Sequence, residues 1–214
     1  MRKGSKKSDL VHGFGINDIP RDSKLDSDYY RCYGIWVGFL RRCYSNNRSL
    51  KNISYTNTVV CDEWKYYSNF KIWYYNNYIE GYQIDKDVIG GTLDIYSPET
   101  CAFIPNLINS CIIDGNRKDK STPIGVSLSI YKNNVKYRTC ITKYGKQLKN
   151  FGLYDNPYDA HKIWQIEKRN YLLELIDKYS NDVVPEVIQG LQRRVDILNN
   201  DILNGIETKT ISKV

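Results

Sequence analysis

Histidine is almost missing from this chain: of 214 residues only His12 and His161 carry an imidazole. Imidazole is the usual proton carrier near neutral pH and the commonest metal ligand, so chemistry that needs several histidines together is out of reach. Cysteine is present six times, at 32, 43, 61, 101, 111 and 140, but never as C-x-x-C. That absence argues against a zinc ribbon or a thioredoxin-like redox pair and leaves reduced thiols as the expectation. No stretch approaches the roughly 18 apolar residues of a membrane span, so no membrane partner is expected. The opening Met1-Arg2-Lys3-Gly4-Ser5-Lys6-Lys7 leads into no apolar signal core, which points to the cytoplasm. Internal repeats and sustained heptads are also lacking.

What the chain has is charge of one sign in one place. The net charge is +7. Between Gly115 and Asn150 stand nine Lys or Arg against Asp119 alone, a local +8 that accounts for the whole excess. The residues singled out there for phosphate contact are Arg117, Lys118, Lys132, Lys136, Arg138, Lys143, Lys146 and Lys149. Basic side chains gathered on a small sheet release counterions when they meet a nucleic-acid backbone, which makes double-stranded DNA the expected partner. Tyrosine is abundant, 19 residues, alongside much Asn, Ile and Lys, as an AT-rich coding sequence would give.

Read in order, residues 1–28 form a basic and polar N-terminal segment. Tyr33, Trp36, Val37, Leu40 and Tyr44 recur at helical spacing, with Arg41 and Arg42 beside the stripe and one or the other on its open side able to touch DNA. Thr58-Val59-Val60-Cys61 reads as a short strand. Asp62 reads as the N-cap of a helix through Tyr74 that buries Trp64, Tyr67, Phe70, Ile72 and Trp73. Residues 114–123 are polar and basic and read as a linker. Strands follow at 124–131, 135–142 and 147–151, with Asn133-Asn134 and Gly145-Lys146 as turns, and Lys136, Arg138 and Lys149 sharing a face with Tyr131 and Tyr137. Asp155-Asn156-Pro157 opens a helix to Tyr179 that packs Ala160, Ile163, Trp164, Tyr171 and Leu175 on the sheet. His161 on that helix is a surface or packing residue with no evident partner. Pro185 starts a last helix whose stripe Val187, Leu191, Val195 and Leu198 either packs on the body or pairs two copies as a homodimer.

The stretch Gln83–Asn109 organises the rest. Asp85-Lys86-Asp87 closes a short strand, Gly90-Gly91 marks a turn and Ser97-Pro98-Glu99 a second break. Cys101-Ala102-Phe103-Ile104 is an apolar strand, and Pro105 opens a helix that carries Asn109. A strand, strand and helix unit of this kind can gather hard oxygen donors, Asp85 and Asn109 first, around one divalent cation, with magnesium the best fit. Such a cation can stabilise charge on a phosphodiester. Zinc on Cys43, Cys61 and Cys101 is the less favoured metal, because scattered cysteines are usually small core residues.

Asp85-Lys86-Asp87, Tyr96-Ser97-Pro98-Glu99-Thr100-Cys101-Ala102-Phe103 and Asn109 resemble the degenerate HNH (His-Me finger) signature of phage homing-endonuclease-like proteins. Trp36, Phe39, Leu40, Arg42, Cys43 and Tyr44, then Val60 to Trp64, then Asn69, Phe70 and Trp73 agree with that family's flanks. Ile124-Gly125-Val126 and Phe151-Gly152-Leu153-Tyr154 up to Ala160 are similar to the APETALA2-type DNA-binding domain that often follows. The resemblance implies an α+β chain with an HNH-like ββα-metal domain over 29–113 and the linker at 114–123. An APETALA2-like three-stranded sheet on one helix over 124–180 and a C-terminal helix and tail over 181–214 complete it. It implies a metal-dependent endonuclease that hydrolyses DNA phosphodiesters, with Asp85, Lys86, Asp87, Thr100 and Asn109 as the catalytic set. Lys86 stands where active members of that family place the histidine that activates water. A lysine serves as a base only if its pKa falls by several units, a fall that burial favours and two neighbouring carboxylates oppose. The alternative is a catalytically inactive DNA-binding or regulatory protein on the same scaffold.

Overall fold

A computed structural model of the chain describes residues 10–19, 27–45, 55, 57–114, 121–131, 134–149 and 151–214. The protein is a mixed α+β chain of small sheets and longer helices, in two compact units, 1–103 and 104–214.

The first unit begins with a two-residue hairpin, β1 (Leu10–Val11) and β2 (Gly15–Ile16), followed by α1 (Ser27–Tyr44). Gly15 is obligatory there, because a Cβ would stand 2.5 Å from Leu40 and 2.7 Å from Trp36. After β3 (Val59–Val60) the chain makes a 3-10 turn, Glu63–Lys65, and then α2 (Tyr67–Asn77). Asp62 makes no side-chain cap, contrary to the sequence expectation. The extended Tyr66 interrupts the helix and bridges Ile16 of the hairpin. Capping comes instead from Asp18, whose carboxylate accepts from the Ser68 amide at 2.9 Å and the Ser68 hydroxyl at 2.5 Å. An acceptor 50 residues away thus does the work that local sequence assigns to Asp62.

Aromatic rings fill the space between α1 and α2. Trp36, Phe39, Trp64, Tyr67, Phe70 and Tyr74 are fully buried, and Phe39 stacks on Tyr96 with centroids 5.1 Å apart. The Trp36 indole donates to the Trp64 carbonyl at 2.8 Å, so burial leaves that polar edge satisfied. Ile72, expected inside, is exposed; the helix presents Tyr67, Phe70 and Tyr74 to the core instead. β4 (Gln83–Asp85), α3 (Asp87–Gly90), β5 (Ile95–Tyr96) and β6 (Ala102–Ile104) complete the region, with β3 parallel to β5 and β4 paired with β6.

The second unit opens with α4 (Asn106–Cys111), which Pro105 precedes as its extended N-cap. β7 (Val126–Tyr131), β8 (Asn134–Thr139) and β11 (Leu153–Tyr154) form an antiparallel sheet in the order β11-β8-β7, beside the hairpin β9 (Ile141–Lys143) and β10 (Lys146–Leu148). The long helices α5 (Pro157–Tyr179) and α6 (Pro185–Asn204) follow. Thr139 donates to the Ala160 carbonyl at 2.6 Å, fixing which face of the sheet meets α5. Gly125, at φ +75°, lies so close to the Trp164 ring that a Cβ would come within 2.0 Å of it. The expected boundary at 114–123 does not coincide with the division between the units. Asp114 is instead a hub for the C-terminus: it accepts from the amides of Ile211 and Ser212 at 2.7 and 3.2 Å and from the Thr210 hydroxyl at 2.7 Å. Residues 115–120 lie outside the described set.

The α6 stripe Val187, Leu191, Val195 and Leu198 is buried, and α6 packs along α5. That face is therefore already covered within the chain, and a homodimer would need another side of the helix. No described helix is long and apolar enough to cross a membrane.

Candidate functional site

Two places gather the residues that the sequence singled out. The first is the turn between β4 and α3. Asp85 Oδ1 accepts from the Asp87 amide at 2.9 Å and the Val88 amide at 2.7 Å. It thereby holds the first amides of a four-residue helix, an Asx-type arrangement that serves the backbone. Lys86 is 3% exposed and donates to Asp87 Oδ1 at 2.6 Å and Asp94 Oδ1 at 3.4 Å. Its ammonium also lies over the Tyr96 ring, 5.9 Å from the centroid. Burial on its own would lower the lysine pKa, but the hydrogen bonds and charges of Asp87 and Asp94 outweigh it and the net shift is upward. Lys86 is thus held as an ammonium, the reverse of what a general base needs.

Thr100 is also occupied. It is 4% exposed, and its hydroxyl donates to the Ile95 carbonyl at 2.7 Å while accepting from the Ser97 amide at 3.1 Å. Its methyl packs at the backbone of Gly90, where a Cβ would meet it at 3.2 Å. Asn109 is half-buried on α4, in the second unit. His12 sits in the β1–β2 turn at φ 52°, where burial first and the nearby Arg41 second lower its pKa. Arg42, one of the two arginines offered for DNA contact, lies over the rings of Tyr55 and Tyr96 at 5.5 and 5.6 Å.

As a cation site the turn fits poorly. Asp85 Oδ1 serves two amides and Asp87 Oδ1 already faces an ammonium whose charge would oppose a metal ion. Among the described residues no group of three or more His, Cys, Asp or Glu is arranged to hold one. Cys43 and Cys101 are core residues whose thiols burial pushes up to about 11 and about 12, which disfavours the thiolate that zinc requires.

Asp94 is the residue that sequence reasoning missed. The available signal was physical: a buried ammonium asks for more than one acceptor, and Asp94 is the next carboxylate along the chain.

The second place is the sheet. Its register pairs Val126 with Thr139, Leu128 with Tyr137 and Ile130 with Val135, so these share one face; α5 covers its Val126–Thr139 end, and Leu128, Ile130 and Val135 beyond it are exposed. Ser127 opposite Arg138 and Ser129 opposite Lys136 take the other face, joined there by Leu153. Tyr137 therefore lies on the face away from Lys136 and Arg138, contrary to the expected grouping. Lys136 pairs with the exposed Asp155, and Arg138 reaches Ser129 Oγ at 3.4 Å. Lys143 is turned inward, 13% exposed, onto Glu167 at 3.1 Å and Glu174 at 3.7 Å, and is unavailable to DNA in that pose. Lys146 and Lys149 are exposed. Arg117, Lys118 and Lys132 lie outside the described residues. His161, expected without a partner, is buried with two: Nδ1 bonds the Ile124 carbonyl at 2.8 Å and Nε2 accepts from the Thr208 amide at 3.1 Å. The accepting Nε2 places the proton on Nδ1 and makes the ring neutral.

Compared with protein-family models, curated proteins and solved structures, the chain matches none of them.

Proposed function

We propose that the protein binds double-stranded DNA through the outer face of the β11-β8-β7 sheet and the neighbouring β9–β10 turn, on a scaffold whose HNH-like segment is not a working nuclease. The observation that carries this reading is the contrast in how lysines are held. Lys86 is buried between two carboxylates. Arg138, Lys146 and Lys149 have no carboxylate partner among the described residues, and Lys136 has only an 85% exposed one. An ion pair that exposed contributes little and is readily exchanged for a phosphate. Phosphate contacts of this kind set affinity and position, with little reading of sequence.

Strand cleavage is the second reading. It is favoured by the exposure of Asp87 and Asp94, 30% and 28%, which leaves both carboxylates reachable from solvent if Lys86 is drawn away. Incubation with supercoiled DNA in magnesium, in manganese and in EDTA separates the two readings. Retardation of the DNA without nicking is the expected result. Metal-dependent nicking that disappears in the Asp85→Ala/Asn109→Ala protein would establish the nuclease.

A further inference from the structure

The second unit contains a cavity of about 780 Å³ walled by β7, the β9–β10 hairpin and α5. That volume lies in the range of pockets that hold small ligands, and its wall has the usual character, apolar with a few convergent polar groups. Ile124, Ile141 and Trp164 supply apolar surface, while Ser110, Thr122 and Lys168 are among the polar side chains.

Lys168 is the unusual member. It is 5% exposed, on a face of α5 that lines the cavity. No carboxylate among the described residues pairs with it. Its charge is felt by the buried Cys111 thiol, together with those of Arg194 and Lys143. The acid in the same wall, Asp114, is engaged by the C-terminal residues Thr210 to Ser212. Lys143 has its own glutamates, as described above. The result is a cation in the cavity wall with no carboxylate beside it among the described residues, placed to meet a negative group that enters. Lys149, exposed at the same cavity, adds a second cation near its edge.

We propose that this cavity is a binding site for a small organic anion, a carboxylate or phosphate monoester on a flat apolar body. The anionic head would meet Lys168, since the Ser110 and Thr122 hydroxyls of the wall already donate to the Leu107 and Val126 carbonyls. The body would lie against Ile124, Ile141 and Trp164. A charge-assisted hydrogen bond inside such a wall is shorter and stronger than a neutral one, so charge dominates recognition there. This site does not depend on DNA binding being correct.

The probes are 2-naphthoate, 2-naphthyl phosphate and the uncharged 2-naphthalenemethanol, titrated calorimetrically into the full chain and into Lys168→Met. Saturable one-to-one binding of at least one anion is expected, weaker by about tenfold or more in Lys168→Met and for the neutral alcohol, the size of one charge-assisted bond. No binding of either anion at millimolar concentration overturns the proposal, as does equal affinity for the alcohol or an undiminished affinity in Lys168→Met. A short DNA duplex is the competitor. Because Lys149 borders both surfaces, the competition is repeated in Lys146→Ala/Lys149→Ala; displacement by duplex that is undiminished there would assign the Lys168 cation to a backbone phosphate and overturn the small-molecule site. Melting curves guard against misfolding. Lys168→Met is expected to melt no lower than the wild type, because it keeps the apolar stem and strands no carboxylate among the described residues. A clear fall in Tm would mean that Lys168 is a structural residue and would also overturn the proposal.

Discussion

The β4–α3 turn and the β11-β8-β7 sheet are both rich in charge, yet they use it in opposite ways. In the turn, Asp85 is committed to backbone amides and Lys86 to Asp87 and Asp94. In the sheet, the alternation of strand residues sends Lys136 and Arg138 to the face that α5 does not cover. A cation enclosed by carboxylates fixes a conformation, whereas a cation on an open strand face remains available to a phosphate. Residue type and spacing are similar cues in the two places; burial makes the difference.

The largest expected effects come from positions where structure leaves no room. Gly125→Ala must place a methyl group in the Trp164 ring at a backbone angle that alanine avoids, so a loss of roughly 2–4 kcal/mol is expected in urea unfolding. Lys86→Met would leave Asp87 and Asp94 facing each other without their cation. The expected cost is about 2–4 kcal/mol, below the full value for a deeply buried pair because both carboxylates are partly exposed. If Lys86→Met were instead as stable as the wild type, the comparison would fail, since the turn would not depend on that cation.

A smaller effect is expected at the cap of α2. Asp18→Ala removes both acceptors for Ser68 and is expected to lower stability by about 1 kcal/mol. The Asp18 carboxyl is raised by burial but lowered more by its Ser68 bonds, and the net shift is downward. Its contribution is therefore present above the ordinary aspartate pKa and is lost as pH falls through the lowered value. Asp18→Asn, which keeps one acceptor, should show less of that acid loss in a pH series of melting curves.

His161 gives a second acid-side effect with a different window. Burial holds its pKa below the ordinary 6.5, and the neutral ring is the form that accepts from Thr208. The unfolded chain takes up a proton near 6.5 while the native chain resists it. Stability is thus full above that ordinary value and declines as pH falls toward the lowered native one. His161→Gln should flatten that part of the profile, read as Tm between about pH 7.5 and pH 5.

The sequence makes some of this legible for simple reasons. The proline starts of α5 and α6, with the apolar stripe of α6, make both helices readable almost to their ends, and the tryptophans and tyrosines of α1 and α2 point to a core. The restart at Tyr66 is not readable, because it is imposed by pairing with Ile16 far away in the chain. Strand parity is knowable only once the register of β7 on β8 is fixed, which is why the sequence alone groups Tyr137 with the wrong face. The inward turn of Lys143 depends on Glu167 and Glu174, residues that periodicity on α5 does not single out as partners. At the candidate site, Asp85, Lys86, Asp87 and Thr100 are identifiable as a group, but their hydrogen-bond partners are not.

The most direct measurement of the central claim is the salt dependence of binding to a labelled DNA duplex, for the wild type and for Lys146→Ala/Lys149→Ala. These two exposed lysines are expected to change folding stability by less than about 0.5 kcal/mol. Each phosphate that a lysine ceases to neutralise makes the slope of log K against log salt shallower by about 0.9, so the double variant should bind more weakly with a slope shallower by nearly two. An unchanged slope and affinity, or a wild type that does not bind duplex DNA at low salt, would contradict the account.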